Sequence, residues 1–307
     1  MPNKIRFGEN HITHTDRPSI LVLGIGGAGR NIAEEIEDIS SENVKIYEVD
    51  SSSRPPKLPY ISVSKEDMNK SYHSNVKTDK RPLTESERRL ENKIKEFDIL
   101  YLIAGLGGRT GSWTAPLCAE LGDKHCSFSF GFFAKPFKTE SYSRKRLSDE
   151  AQDKLVRHLD GTAVFPNSRL LDINPHLPIK KAFGVMNRII RIPLIDLNSV
   201  ITASDIPHLK ELCGSTEEFR IGAGYGKGRK KGKRASREAL KSPWFEDEHI
   251  YKKIITIITT SDGKSKMDIE DGLEEIEDMW NEADMIWGIR KDPDLDKRIR
   301  VTILLGK

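Results

Sequence analysis

The sequence predicts an α/β fold: a parallel sheet with helices on both faces, a long central helix, and a smaller α+β unit at the C-terminal end. Three observations predict it. Strand-length apolar runs alternate with helical stripes from residue 19 to residue 165. Two of those runs pass directly into glycine clusters, at 24–29 and 105–111. A long apolar helical stripe then begins near residue 179, and the chain beyond it carries no such cluster. Alternation of this kind requires parallel strands joined by crossover helices.

The elements can be taken in order. Residues 1–17 are polar and read as an arm or a short first element. Residues 19–23 are an apolar strand, and Ile32, Ala33, Ile36 and Ile39 give the next helix its stripe. Residues 44–49 form a second strand ending at Asp50, with a Ser/Pro loop at 51–59 and a long polar loop at 62–82. Thr84 and Glu87 make a capping box for a helix bearing Leu90 and Ile94. Strands at 98–104, 127–134 and 162–165 alternate with helices at 114–121 and over Leu147, Ala151, Leu155 and Leu159. Ile179, Ala182, Phe183, Met186, Ile189 and Ile190 mark the central helix, which Pro193 should kink or end. Strands at 219–225, 252–260, 285–290 and 299–305, with helices at 235–241 and 267–281, make the last unit. The expected domains are therefore 1–178, 179–211 and 212–307.

Composition excludes several classes. The chain has 307 residues, 50 Lys and Arg against 47 Asp and Glu, and a net charge of +3, which demands no polyanionic partner. Charged residues reach 32% and mean hydropathy is −0.53, as in a soluble globular protein. No apolar run is long enough to span a bilayer, and the first residues contain no apolar signal core, so the expected location is cytoplasmic. Cys118, Cys126 and Cys213 are scattered and suit reduced thiols. His125 and Cys126 are adjacent but lack further ligands at metal-binding spacing, so no metal site is expected.

The first glycine cluster is ambiguous taken alone. Gly24-x-Gly26-x-x-Gly29 is also a dinucleotide fingerprint, and Asp50 lies about 20 residues on, where a ribose-binding acid belongs. A tight strand-to-helix turn with no ligand is the plainer alternative. Glycines let backbone N–H groups approach phosphate oxygens at a helix N-terminus in either nucleotide class.

The second cluster separates the alternatives. Residues 104–112 read A-G-L-G-G-R-T-G-S and resemble the signature loop of the FtsZ/tubulin superfamily. Further matches come in that family's order. Residues 24–31 resemble its first phosphate loop, with Arg30 in place of a glycine. Lys135-Pro136-Phe137 with Glu140 and Arg144, residues 165–171 (F-P-N-S-R-L-L), and Ala182-Phe183-Gly184 with Asn187 resemble later family segments. Residues 283–288 and 299–303 resemble its closing strands. The resemblance spans nearly the whole chain and implies a divergent FtsZ-like protein: a Rossmann-like nucleotide-binding domain, a central helix and a small C-terminal domain. It implies that GTP or GDP, with Mg2+ arriving through the nucleotide, is held by Gly24, Gly26, Gly27, Gly29, Asn31, Gly105, Gly107, Gly108, Thr110, Gly111, Ser112, Glu140, Arg144, Asn167 and Asn187. Glu140 would contact the ribose. Asn187, offering a donor and an acceptor, would read the guanine edge.

The departures from the family matter equally. No glycine occurs between Gly29 and Gly105, so the family's glycine-rich loop after the third strand is missing. Arg109 and Trp113 replace glycines of the signature loop; Arg30 and Arg109 either pair with phosphate, fill the pocket, or face solvent. In this family an acidic loop of the next subunit completes hydrolysis. Alignment puts Val200 at its Asn, Thr202 at its first Asp and Asp205 at its second, so one acid survives. Weak or absent GTP hydrolysis is the consequence, and Thr202→Asp should raise turnover. The basic run at 226–237 reads as a solvated loop or a site for an anionic partner.

The implied function is a cytoskeletal or cell-division-related GTP/GDP-binding protein that self-associates head to tail, with a conventional FtsZ as a further candidate partner. An NAD-binding Rossmann-type protein and a scaffold whose pocket has closed are the alternatives.

Overall fold

The structure is a computed structural model that describes residues 4–7, 17–74, 76–173, 176, 178–214, 218–245, 250–261 and 266–306. The side chains of Leu171, Ile173, Ile179, Lys180, Ala182 and Phe183 also lie outside what is described. The chain divides into two compact units, Pro18–Arg191 and Met1–Arg17 with Ile192–Lys307. Strand β1 (Lys4–Arg6) belongs to the second of them.

The first unit contains β2 (Ile20–Ile25), α1 (Gly26–Glu35), β3 (Val44–Asp50), β4 (Tyr60–Ser62), α2 (Lys65–His73), α3 (Glu85–Ile94) and β5 (Ile99–Gly105). It continues with α4 (Arg109–His125), β6 (Phe128–Lys135), α5 (Tyr142–Leu155), β7 (Gly161–Pro166), α6 (Asn167–Ile173) and the start of α7 (Ile179–Val200). Its strands lie in the order β7-β6-β5-β2-β3-β4, and every pairing among them is parallel. Chain order reverses between β2 and β5, so the crevice beyond their carboxyl ends is the topological switch point. Register sets Ile25 opposite Ala104, which brings the two glycine clusters side by side. Leu21, Leu23, Leu100 and Leu102 join Leu90, Ile94 and Leu121 in one buried cluster.

The stretch at 62–82, expected as a loop, contains helix α2 and a short 3-10 turn at Thr78–Lys80. Ser64 caps α2 by accepting from the N–H groups of Glu66 and Asp67. Only Met68 and Tyr72 bury from this polar helix, too thin a stripe to register as periodicity. The capping box at Thr84 and Glu87 forms with both of its bonds.

Helix α7 passes through Pro193 instead of ending there. Proline removes one backbone donor, but buried Ile190, Leu194 and Leu197 flank it and hold the helical stripe.

The second unit holds the rest of α7, then α8 (Ile206–Cys213), β8 (Phe219–Gly226), α9 (Lys231–Leu240), β9 (Lys253–Thr260), α10 (Lys266–Glu277), β10 (Asp284–Lys291) and β11 (Ile299–Gly306). β1, β10 and β9 pair in parallel, and β11 runs antiparallel between β9 and β8. Buried Asp196 of α7 accepts from Arg290 at 2.7 Å, from Arg300 at 2.5 Å and from the Thr302 hydroxyl at 2.6 Å. Among the described residues no helix is long and apolar enough to cross a membrane.

Candidate functional site

The first unit contains a cavity of about 490 Å³ lined by both glycine clusters, by six residues between Ala134 and Arg144, and by Asn167, Met186 and Asn187. Its glycines serve different ends. A side chain on Gly27 or Gly108 would meet nothing, so their backbone is open to the cavity. Gly26 has φ +68°, and a Cβ there would lie against the Gly111 amide, so the two clusters touch here. Gly105 and Gly111 also line the cavity, as does Thr110, whose hydroxyl lies 3.0 Å from that of Ser51.

The remaining glycines, expected as ligand contacts, stand behind the wall. Gly24 packs against Ala33 and the Gly29 carbonyl, and Gly29 packs against the Ile103 carbonyl. They let α1 lie close on the sheet. Gly107, at φ +91°, makes the turn that passes Pro136 and the Arg144 carbonyl. The buried Ser112 hydroxyl accepts from the Gly107 N–H at 2.8 Å, inside the loop. Asn31 is exposed and accepts from Arg54 at 2.8 Å, away from the lining.

Helices α1 and α4 both begin at this cavity without a side-chain cap or an acidic residue in the first turn. Their first N–H groups and the positive ends of their dipoles therefore suit an anion. At the other side, Glu140 accepts from the Phe137 N–H at 2.9 Å and pairs with Arg144. Asn187 donates to Glu35 at 2.7 Å. Asn167 is 6% exposed, and its Oδ1 has no hydrogen-bond partner among the described residues. A buried unpaired carbonyl bordering a cavity is the feature expected where a ligand donor completes the site. Thr139, Ile32 and Met186 were not legible as site neighbours, because no motif marks them.

The two substituted arginines differ. Arg30 is wholly buried and bound to Glu48, Asp50 and Ser52, and to the carbonyls of Arg54 and Pro55. It neither meets the cavity nor fills it. Burial alone would raise the Asp50 carboxyl, but hydrogen bonds from Ser52, Arg30 and the Ser51 N–H hold it below the usual carboxylate range. The acid that a dinucleotide site would offer to ribose is thus already engaged. Arg109 is exposed, lines the cavity, and lies over the Trp113 ring at 5.9 Å. Trp113 itself is outside the lining.

In the second unit, Asp205 is buried and its Oδ2 accepts from the Thr202 N–H at 2.8 Å and hydroxyl at 2.7 Å. The carboxylate thereby caps the turn that opens α8. The basic run at 226–237 is not a loop throughout: α9 starts at Lys231. Lys231 pairs with Asp268, and Lys233 and Arg237 pair with Glu275, both on α10. Part of the run is neutralised at home, and the turn at 227–230 carries outward charge. Among the described residues no group of three His, Cys, Asp or Glu side chains gathers to hold a metal ion.

Residues 19–175 match the Tubulin/FtsZ family, GTPase domain. The chain belongs to the Tubulin/FtsZ family. Its relatives include cell division protein FtsZ 1 of Pyrococcus woesei, 28% identical over 93% of this chain and 81% of that protein. FtsZ 1 of Thermococcus kodakarensis is 27% identical over 93% of this chain and 80% of that one. Among solved structures, an empty FtsZ dimer of M. jannaschii superposes with a TM-score of 0.81 over 95% of this chain and 89% of that one, at 22% identity. CetZ2 of Haloferax volcanii, solved as a GTPγS-bound protofilament, gives 0.71 over 94% of this chain and 93% of that one, at 14% identity. These structures share the tubulin/FtsZ fold, with its parallel-sheet core and C-terminal sheet region.

Proposed function

We propose that this member of the family binds GTP or GDP in the cavity of its first unit, associates head to tail with itself, and hydrolyses GTP weakly or not at all. One observation carries the reading. Both glycine clusters, two uncapped helix starts, Asn167 and Asn187 line a single cavity of about 490 Å³. That volume lies within the roughly 300–1,000 Å³ typical of ligand sites.

The N–H groups at Gly27 and Gly108 and the Thr110 hydroxyl would cradle the phosphates. Asn167 and Asn187 would meet the guanine edge, and Glu140 with Arg144 the sugar. GTP supplies the phosphoanhydride bond that hydrolysis breaks. Among the described residues Glu140 is the only carboxylate lining the cavity and is already paired, so Mg2+ would be carried by phosphate oxygens and water. That carboxylate, held by Arg144, is not free to orient an attacking water. Asp205, the acid matched to the family's hydrolytic loop, is bound to Thr202. Slow turnover is the consequence. Head-to-tail assembly is supported by the protofilament of the Haloferax volcanii neighbour. Such heterologous contacts give open filaments when the rotation does not close. A cytoplasmic role in cell division, alone or beside a conventional FtsZ, fits the names of the relatives.

The test is the identity of the nucleotide released when the purified protein is denatured, followed by exchange with added GTP, GDP and NAD. About one guanine nucleotide per chain, displaced by GTP and not by NAD, is the expected result. Release of NAD, or no uptake of any nucleotide, would overturn the proposal.

A further inference from the structure

We infer that Arg109 selects the triphosphate over the diphosphate nucleotide and reports its arrival through Trp113 to helix α2; this rests on reading the cavity as a guanine-nucleotide site. Among the described residues the charges that line the cavity are Arg109, Arg144 and Glu140. Arg144 and Glu140 neutralise each other. Arg109 makes no ion pair among the described residues and lies over the Trp113 ring at 5.9 Å. It is the first residue of α4, on the glycine side of the cavity, where phosphate belongs.

An arginine resting on an indole is held loosely, whereas a phosphate offers charge-assisted, bidentate hydrogen bonds. A terminal phosphate brings the added negative charge that draws the guanidinium off the ring. Trp113 is positioned to register that departure. Its ring lies 6.3 Å from Tyr72 and 6.4 Å from His73, both on α2. Arg109 thus reaches α2 through Trp113, the ring that touches Tyr72 and His73.

The experiment measures binding of GDP and of a non-hydrolysable imido analogue of GTP by calorimetry, for the wild type, Arg109→Gln and Arg109→Lys. Tryptophan emission is recorded on each addition for the wild type and Trp113→Phe. The other tryptophans, Trp244, Trp280 and Trp287, lie in the second compact unit, so the difference between these proteins isolates Trp113. Arg109→Gln is expected to lower triphosphate affinity roughly tenfold more than diphosphate affinity, the scale of one charged hydrogen bond. Arg109→Lys should recover part of the difference. The Trp113 emission should change with the triphosphate and not with GDP. Equal losses for both nucleotides, or identical emission responses, would overturn the inference while leaving the nucleotide site standing. A wild type that binds neither nucleotide would overturn both.

Discussion

Arg30 donates from Nε to Glu48 Oε2 at 2.5 Å, in a place where neither side chain reaches solvent. The same guanidinium bonds Asp50 at 3.1 Å and holds the carbonyls of Arg54 and Pro55. A residue that replaces a family glycine has become the internal clamp of the 51–57 loop. Outside, Arg54 and Lys57 close on Glu34. The loop so held brings Ser51 to Thr110 at the cavity.

Arg30→Met should cost about 3–5 kcal/mol, because it leaves Glu48 and Asp50 buried without a counter-charge. Adding Glu48→Gln and Asp50→Asn should recover most of that loss. Urea denaturation of the single and triple variants measures both quantities.

Stability should fall steeply in acid. Burial would raise Asp50 and Glu87, but bonds from Ser52 and Arg30 to the first, and from Arg81 and the Thr84 N–H to the second, lower both. Groups with depressed native values contribute fully above their unfolded values, roughly pH 4, and lose that contribution as pH falls through the native values. Thermal melts from pH 7 to pH 3 should show this loss, and Asp50→Asn should flatten the curve while lowering stability at pH 7.

Asn167→Ala should weaken guanine-nucleotide binding by about 1–3 kcal/mol with little loss of stability in the nucleotide-free protein. Among the described residues the carbonyl removed has no partner to lose. Calorimetry beside a melting curve separates the two effects, and a variant that loses stability but keeps affinity would remove Asn167 from the site.

Two neighbouring glycines should respond oppositely. An added methyl on Gly29 overlaps the Ile103 carbonyl, so Gly29→Ala should destabilise by about 1–3 kcal/mol, as overpacking does. Gly27→Ala meets nothing, so it should fold normally and reduce only nucleotide affinity. Melting temperatures and binding curves of the pair decide the matter.

Thr202→Asp should lower stability by about 1–3 kcal/mol, because a carboxylate cannot donate to buried Asp205 as the hydroxyl does and repels it, and should raise GTP turnover in assembled protein. Phosphate release per chain reads the second effect. Flat turnover in well-formed filaments would remove Thr202 from the hydrolytic loop.

Much of this fold could be read from residue order. Strand and helix periods, the capping box at Thr84 and the strand-to-glycine transitions at Gly24 and Gly105 are local signals, since each rests on residues a few positions apart. They sufficed to place both glycine clusters at the carboxyl ends of parallel strands. Helix α2 escaped because only Met68 and Tyr72 anchor it. Between the two outcomes expected at Pro193, the helix does not end there, because buried residues on either side outweigh a proline's local penalty.

The sequence alone therefore determined the kind of site: two phosphate-suited turns in one parallel sheet, and a family pattern in order. Which residues face the cavity was decided only by packing. Gly24, Gly29 and Gly107 have the same chemistry as Gly27 and Gly108, yet the first three meet protein and the last two meet open space. Arg30 and Arg109 carry the same charge, yet one is spent on Glu48 and Asp50 and the other remains at the rim. A side chain's role depends on what lies against it in space, and those neighbours come from elements far apart in the chain.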